Sequence, residues 1–399
     1  MNKRNFLKAI AALYGVSILS PLQAQSYSKG RAKRIIHLWM SGGMSHLDTF
    51  SPSKDAKNVI ETNVDGLKIN EGFSQLSQLM NHACVIRGLS ITQGAHEEAS
   101  YLSLTSYAKR GTITHPSIGS WIQKLGGNNN PHIPNNVQIG GGMYGSGWME
   151  PIFSPVSLNS PTDGIKNSFT TLQQKEFNDR LELKNEFDSD FTGNSQKTKG
   201  FDDAYKSALK LMASEDLKAF DLTQESEVDK NLYGNNSFGL GCLLARRLVE
   251  YDVKYVQVSM GGFDLHSNID VGMTRLNKII DQALSTLIID LKRRGLLDET
   301  LIVLNTEFGR TPKINDDDGR DHHPQSYCGL MIGGGIKGGT IYGAMNDDCS
   351  AVIENKCTPN DINATIGSAL GLDISKVLYS PNQRPFTMAD KGKVLPIFA

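Results

Sequence analysis

Three short runs of the chain carry most of its acid and imidazole chemistry. Ser41 to Asp48 holds His46 and Asp48, Gly261 to His266 holds Asp264 and His266, and Thr306 to Pro324 holds Glu307, Arg310, Asp321, His322 and His323. A carboxylate two residues from a neutral imidazole, as in Asp264 with His266 or His46 with Asp48, can direct both groups the same way from an extended turn. That is a common ligand pair for zinc and other divalent ions. The Asp321-His322-His323 cluster, which follows the loop Asn315 to Gly319, is a third candidate of this kind. Each pair also has a plainer reading as a solvated turn, and Asp48 ahead of Thr49 can simply close an Asx turn. Arg310 either pairs with Glu307 to fix the turn or clamps an anionic oxygen with its planar fork. His96 opens a helical pattern with Glu97 and Glu98 in its first turn, which by itself fits a capping role.

These runs need elements that bring them together. Arg34 to Met40, Tyr255 to Ser259 and Thr300 to Asn305 are continuous apolar runs of the kind found in buried parallel strands, and each empties into one of the three chemical segments. Open α/β sheets keep their ligand crevices at the carboxyl ends of such strands. Further along, the pattern alternates. A helix around Phe73 to Met80, a strand Ala83 to Arg87, helices His96 to Ser106 and Pro116 to Leu125, and a strand Asn136 to Gly140 follow in order. After a gap come the helix Phe238 to Tyr251, the long helix Met273 to Arg294, late strands Gly329 to Gly333 and Thr340 to Tyr342, and a closing helix Pro359 to Leu370. This order predicts an α/β fold, a mostly parallel sheet sandwiched by helices. Residues 155–235, rich in Lys, Glu, Asp, Asn and Gln, read as a helical insertion, either an active-site cap or a solvated hairpin. The stretch Gly140 to Gly147 has no G-x-G-x-x-G register opening a helix, which argues against a dinucleotide site.

Residues 1–24 have the layout of an export signal. A basic start (Lys3, Arg4, Lys8), an apolar core from Ala9 to Leu19 and the A-x-A-like Leu22-Gln23-Ala24 precede Gln25. The run Lys3-Arg4-Asn5-Phe6-Leu7-Lys8 is twin-arginine-like, with lysine in the first basic position. Residues 25–399 then form the folded domain, expected in the periplasm or secreted, with no membrane span. Losing Lys3, Arg4 and Lys8 and no acid moves the formal charge from −1 to −4, which speaks against nucleic acid as a partner. Of five cysteines, Cys349 and Cys357 make the most plausible disulfide, and Cys84 and Cys242 read as buried free thiols.

Taken together, Ser41 to Phe50, Gly262 to Asn268, Glu307-Phe308-Gly309-Arg310-Thr311-Pro312 and Gly319-Arg320-Asp321-His322-His323-Pro324 resemble the bacterial secreted family of unknown function numbered 1501, over nearly the whole mature chain. That family is similar in turn to the alkaline phosphatase and sulfatase superfamily, which hydrolyses phosphate and sulfate esters with divalent metals and a covalently modified nucleophile. The resemblance implies an alkaline-phosphatase-like fold. It places Asp264, His266 and His322 or His323 in one metal site, Gly42 where the first strand normally ends in a metal-binding aspartate, and His96 where the hydroxyl or thiol nucleophile stands. Glu307, His96, His46 and Asp48 could then rebuild a second metal site. With no hydroxyl nucleophile, catalysis would use a metal-activated water or attack by His96 itself, the ligand role for His96 being preferred.

The function this implies is an exported metal-dependent hydrolase of an anionic (phosphate or sulfate) ester, small or part of a glycan. The metal is zinc first, with calcium, magnesium or manganese as alternatives. Catalytic candidates are His96, Glu307 as ligand or general base, and Arg310; metal candidates are Asp264, His266, Asp321, His322, His323, His46 and Asp48. The rival readings are a non-catalytic carbohydrate, anion or protein-binding protein on a degraded site, and a phosphoryl-type transferase or mutase. The export reading has a direct check: N-terminal sequencing of the protein from an extracytoplasmic fraction should begin near Gln25, and cytosolic protein that retains residues 1–24 would end it.

Overall fold

The computed structural model describes residues 31–165, 168, 172–189 and 196–399; the expected export signal, residues 1–24, lies outside the described residues. The strands β1 (Arg34–Met40), β2 (Ala83–Leu89), β3 (Asn136–Ile139), β4 (Val156–Leu158), β5 (Tyr255–Met260), β6 (Thr300–Asn305), β7 (Tyr327–Gly333) and β8 (Thr340–Tyr342) form one eight-stranded sheet among the described residues. Its order is β8-β2-β7-β6-β1-β5-β3-β4. All neighbours run parallel except β7, which opposes both β2 and β6. Every residue of β1 and β6 is buried, which is why these strands read as continuous rather than alternating apolar runs.

Helices cover both faces. α1 (His96–Thr105), α2 (Ile118–Gly126) and α8 (Pro359–Ala369) bury Ala99, Trp121, Ile122, Ile362 and Ile366 on one face. On the other lie α6 (Ser237–Glu250) and α7 (Ile269–Arg293), with Leu243, Leu248, Leu284 and Leu291. In α7, Ile280, Leu284, Leu287 and Leu291 recur at helical spacing and are fully buried. Each contributes about 1.5–3 kcal/mol of transfer free energy. Gly295, with φ of 69°, follows the helix in the left-handed conformation that lets the chain turn into β6. Between β4 and α6 run α3 (Gln174–Ser189), α4 (Gln196–Met212) and α5 (Glu227–Tyr233). Of these, α5 packs into the layer of α6 and α7, where the Tyr233 hydroxyl donates to Asp290 at 3.1 Å.

The helix expected around Phe73 to Met80 is present as a 3₁₀ helix, Leu76–His82, whose start is held by backbone N–H groups of Gln75 and Leu76 donating to Asp281. One expectation is corrected. The Cys349–Cys357 disulfide does not form: all five cysteines are free and buried. Cys349 occupies a turn with φ of 59° and directs its sulfur toward the Pro52 carbonyl, whereas Cys357 packs in the core under β2 and donates its N–H to Gly88. Cys84 and Cys242 are buried free thiols, as expected.

For the site, what matters is that the central strands end level. Trp39 of β1 lies opposite Ser259 of β5 and Asn305 of β6, so the chain leaves all three at one height. Below this edge His37 joins the same three strands. Its Nε2 donates to Asn305 Oδ1 at 2.7 Å, and its Nδ1 accepts from the Tyr255 hydroxyl at 2.8 Å. Burial lowers its pKa to about 4, so it bridges the strands as a neutral imidazole. The three exits are so close that Gly42, with φ of +111°, would press a Cβ to 2.7 Å from the Asp264 nitrogen. Gly42→Ala is therefore expected to cost about 2 kcal/mol or more, read as a lower denaturation midpoint; an unchanged midpoint would show that the loops can part freely.

Candidate metal centre

Each ligand candidate comes to the sheet edge on a different element. β5 ends at Met260, and the turn after it carries Asp264 and His266. β2 runs the same way and leads through residues 90–95 to His96 at the start of α1. β7 enters from this edge, preceded by a two-residue ribbon in which His322 pairs with Arg310 and His323 with Gly309. Among the described residues, His96, Asp264 and His322 form the group whose ligand atoms all lie within 4.8 Å of one another. His266 joins its open side, with Nε2 3.1 Å from both Asp264 Oδ1 and His322 Nε2. His96 Nε2 and His322 Nε2 are 3.2 and 3.3 Å from Asp264 Oδ1.

The far nitrogens explain why these rings face one another. His96 Nδ1 lies 2.8 Å from Glu307 Oε1, His266 Nδ1 3.0 Å from Asp321 Oδ1, and His322 Nδ1 2.8 Å from the Gly94 carbonyl. Carboxylates and carbonyls only accept, so each Nδ1 carries a hydrogen, which leaves each Nε2 as the nitrogen turned toward the cluster. Two imidazole nitrogens and a carboxylate oxygen thus meet in the arrangement that a cation complements, with His266 beside them. His96 Nε2 is buried and has no hydrogen-bond partner, its 3.2 Å approach to Asp264 being too poorly aligned to count as one. Tetrahedral ligands at the usual zinc–nitrogen and zinc–oxygen distances stand about 3.3 Å apart, and the separations of 3.2 and 3.3 Å from Asp264 Oδ1 to His96 and His322 match that spacing. The residues could coordinate a divalent metal.

Glu307 and Arg310 hold this arrangement from beneath. Glu307 is 1% exposed. Its Oε1 accepts from the Gly42 N–H at 2.7 Å as well as from His96, and Thr306 Oγ1 stands 3.1 Å from Oε2. Buried and committed in this way, Glu307 reaches the cluster through His96, whose ring it orients, and is not among the grouped ligand atoms. Arg310 is fully buried and makes no pair with Glu307. It donates to the carbonyls of Gly43 at 2.9 Å, Gly42 at 2.6 Å and Arg320 at 2.9 Å, and to Asp264 Oδ1 at 2.5 Å, with His266 Nε2 at 3.4 Å. Four of its five N–H groups are taken by the three carbonyls and Asp264, so the guanidinium serves to hold the cluster in place.

The electrostatics follow from these contacts. Burial pushes the Asp264 carboxyl up, but the Arg310 guanidinium and the imidazoles of His96 and His322 outweigh it and hold the pKa well below the usual carboxylate range. Asp264 is therefore a carboxylate at any working pH. The hydrogen bond to Glu307 raises the pKa of His96, against a smaller lowering by burial. Phe308, fully buried, forms the floor: its ring lies 4.8 Å from that of His96 and 4.6 Å from that of His322.

The other candidates lie apart. Asp321 stands behind His266 rather than in the cluster. Asp48 is bound to Arg320 at 2.9 Å and to Ser45 at 2.5 Å. His46 is buried with Nε2 2.9 Å from the Cys349 carbonyl, and burial lowers its pKa to about 4. His323 stacks on it at 6.4 Å and bonds the Ser350 carbonyl at 2.7 Å. The expected second metal site from His46, Asp48, His96 and Glu307 therefore does not assemble, because His46 and Asp48 face the 349–350 segment and Arg320 instead. Sequence reasoning missed Phe308 and the Gly94 carbonyl. The first was visible only as the apolar neighbour of Glu307, and the second, a backbone group, leaves no residue-type signal.

Fold and site together define an α/β protein with a histidine and carboxylate cluster on the carboxyl edge of a mostly parallel sheet. The chain belongs to the family described as Protein of unknown function (DUF1501), whose model matches residues 32–397. No curated protein matches it in sequence. Among solved structures it is similar to the PsFucS1 sulfatase from Pseudoalteromonas sp., at 12% identity and a TM-score of 0.45, over 98% of this chain and 76% of that one. It is similar to the lipoteichoic acid synthase LtaP from Listeria monocytogenes at 11% identity and a TM-score of 0.41, over 92% and 78%. It is also similar to the alkaline phosphatase from the Antarctic bacterium TAB5, at 12% and 0.37, over 85% and 98%.

The geometry separates ligands from their supports. His96→Ala, Asp264→Ala and His322→Ala should each strip most of the bound metal measured by mass spectrometry, while Glu307→Gln should weaken affinity by about 10–100-fold without abolishing it. Full metal content in all three alanine variants would remove the centre.

Proposed function

We propose that the protein is a metal-dependent hydrolase of an anionic phosphate or sulfate ester, acting outside the cytoplasm. The observation that supports this most is the convergence of three imidazoles, each anchored at its Nδ1, on the Asp264 carboxylate. Such a donor set suits zinc, with three nitrogens and one oxygen. When bound, a divalent cation there would polarise the ester and lower the pKa of a water.

The chain's own residues do the rest. Glu307 keeps the His96 proton at Nδ1, Asp321 keeps that of His266, and the Gly94 carbonyl keeps that of His322, so no ring turns its N–H into the site. Arg310 fixes Asp264 and keeps it ionised. The side chains of Asp264 and His266 are 48% and 47% exposed, which leaves one side of the cluster open to an incoming ester. His96 stands where a hydroxyl nucleophile would, but its Nε2 is directed at Asp264 and its Nδ1 is tied to Glu307. A ligand role suits it better than attack on phosphorus or sulfur, and water is then the nucleophile. Among the described residues no helix is long and apolar enough to cross a membrane, which suits a small or glycan-borne ester met in an aqueous compartment.

The test uses protein purified without chelators on a panel of phosphate and sulfate monoesters. Turnover should disappear on treatment with a chelator, return with zinc, calcium, magnesium or manganese, and fall by at least about 100-fold in His96→Ala. No covalent adduct should be trapped from the wild type. Stoichiometric metal with no turnover on the whole panel would overturn the hydrolase reading in favour of a binding protein.

A further inference from the structure

A second feature stands beside the cluster and plays no part in the chemistry described so far. Thr92 and Gln93, just before the Gly94 whose carbonyl holds His322, begin the wall of a cleft of about 640 Å³ that continues along α1 to Ser106. α1 has ten residues, so it carries the cleft about 15 Å away from the metal centre. The volume falls in the range of pockets that take small organic ligands.

The lining is of two kinds. One is an aromatic wall: Tyr107 stacks on His115 with ring centres 4.6 Å apart and planes 10° from parallel, and Phe386 meets both edge-on at 5.2 Å. These rings are locked. The Tyr107 hydroxyl donates to the Thr387 carbonyl at 2.6 Å and accepts the Thr387 N–H at 2.9 Å, and His115 Nδ1 lies 2.9 Å from the Tyr101 hydroxyl. The other kind is cationic. Arg110, Arg384 and Lys391 enter the cleft from separate turns, at 110–113, 380–384 and 389–392. Among the described residues none of the three makes an ion pair or a side-chain hydrogen bond. Asp390 is the one acid in the lining, so the cleft carries a net charge of +2 (three cations less one anion) in a chain whose formal charge is −1.

Unpaired cations on a preorganised aromatic surface attract and orient an anion on a ring-bearing molecule. We propose that this cleft is a second subsite, which takes another anionic group of the same substrate, so that the natural ester sits on an acidic oligosaccharide rather than on a small monoester. The proposal rests on reading the metal centre as the place of ester hydrolysis, but its binding chemistry is independent of that centre. A sugar ring presents a flat C–H face to Tyr107 and Phe386, and its sulfate, phosphate or carboxylate group meets the guanidinium groups. A nucleic acid fits less well, since the rest of the chain is acidic and repels a long polyanion.

Direct binding tests it. A heparin-derived tetrasaccharide, titrated calorimetrically into the whole protein, should bind with an affinity that falls as salt is raised. Arg384→Glu and Arg110→Glu, at exposed positions and expected to keep the folded circular dichroism spectrum, should each weaken binding by at least about tenfold. Asp264→Ala, which disables the metal centre, should leave it intact. The neutral maltotetraose should bind far more weakly. The proposal is overturned if the tetrasaccharide does not bind, if both charge reversals leave its affinity unchanged, or if maltotetraose or a tetrathymidylate binds as tightly. Failure of hydrolysis on the ester panel, with tetrasaccharide binding and its loss in Arg384→Glu both observed, would condemn the reading of the metal centre and not this one.

Discussion

The backbone of Gly42 is the point to which the whole centre is referred. Its N–H donates to Glu307 and its carbonyl accepts from Arg310, and where a Cβ would stand the turn carrying Asp264 passes instead. Glu307 then fixes His96, and Arg310 fixes Asp264. Two buried side chains, an acid and a guanidinium, thus bond the backbone of one residue rather than each other. A carboxylate and a guanidinium buried without partners would be costly; here each is satisfied by backbone groups that the level strand ends bring within reach. A side chain at this position would separate the loops and break both connections at once.

That constraint also explains why the ligand residues come from far-separated parts of the chain. β1, β5 and β6 are hydrogen-bonded in register, so their exits meet whatever lies between them in sequence. β7 runs antiparallel and brings His322 in from the same edge, and α1 supplies His96 from the opposite side of the cluster. Apolar burial on both faces holds the strands, while polar contacts decide only the last few ångströms. Division of labour of this kind lets ligand substitutions spare the fold, because the transfer free energy resides in residues such as Leu284, Trp121 and Ile302 rather than in the site.

The centre and the neighbouring cleft differ in how they are built. In the centre every imidazole is anchored at Nδ1 and Arg310 is bonded to three carbonyls and Asp264, so the groups that could hold a cation are fixed in place. In the cleft the rings are anchored but Arg110, Arg384 and Lys391 are not, which suits a ligand whose anionic group adjusts in position. Helix α1 joins them, starting at a metal-ligand candidate and ending at the cleft. A substrate spanning both would be held at two points, and the entropy lost in fixing the first contact would not be lost again for the second.

The sequence by itself determined the strands and their exits. Arg34 to Met40, Tyr255 to Ser259 and Thr300 to Asn305 are legible because burial on both faces demands unbroken apolar runs, and the acids and histidines at their ends mark the functional edge. The family resemblance also grouped Asp264 and His266 with His322 or His323, since motif composition survives without knowledge of contacts. Only the tertiary structure decided which of two adjacent histidines faces the cluster: a two-residue ribbon turns His322 toward Asp264 and His323 toward Ser350. It likewise moved Glu307 and Arg310 beneath the site, removed His46 and Asp48 from it, and kept Cys349 from Cys357. The physical reason is the same in each case. Residue type fixes what a side chain can bond, but which partner it reaches depends on register and on the sub-ångström packing of loops that are distant in sequence, and neither is written in any local pattern.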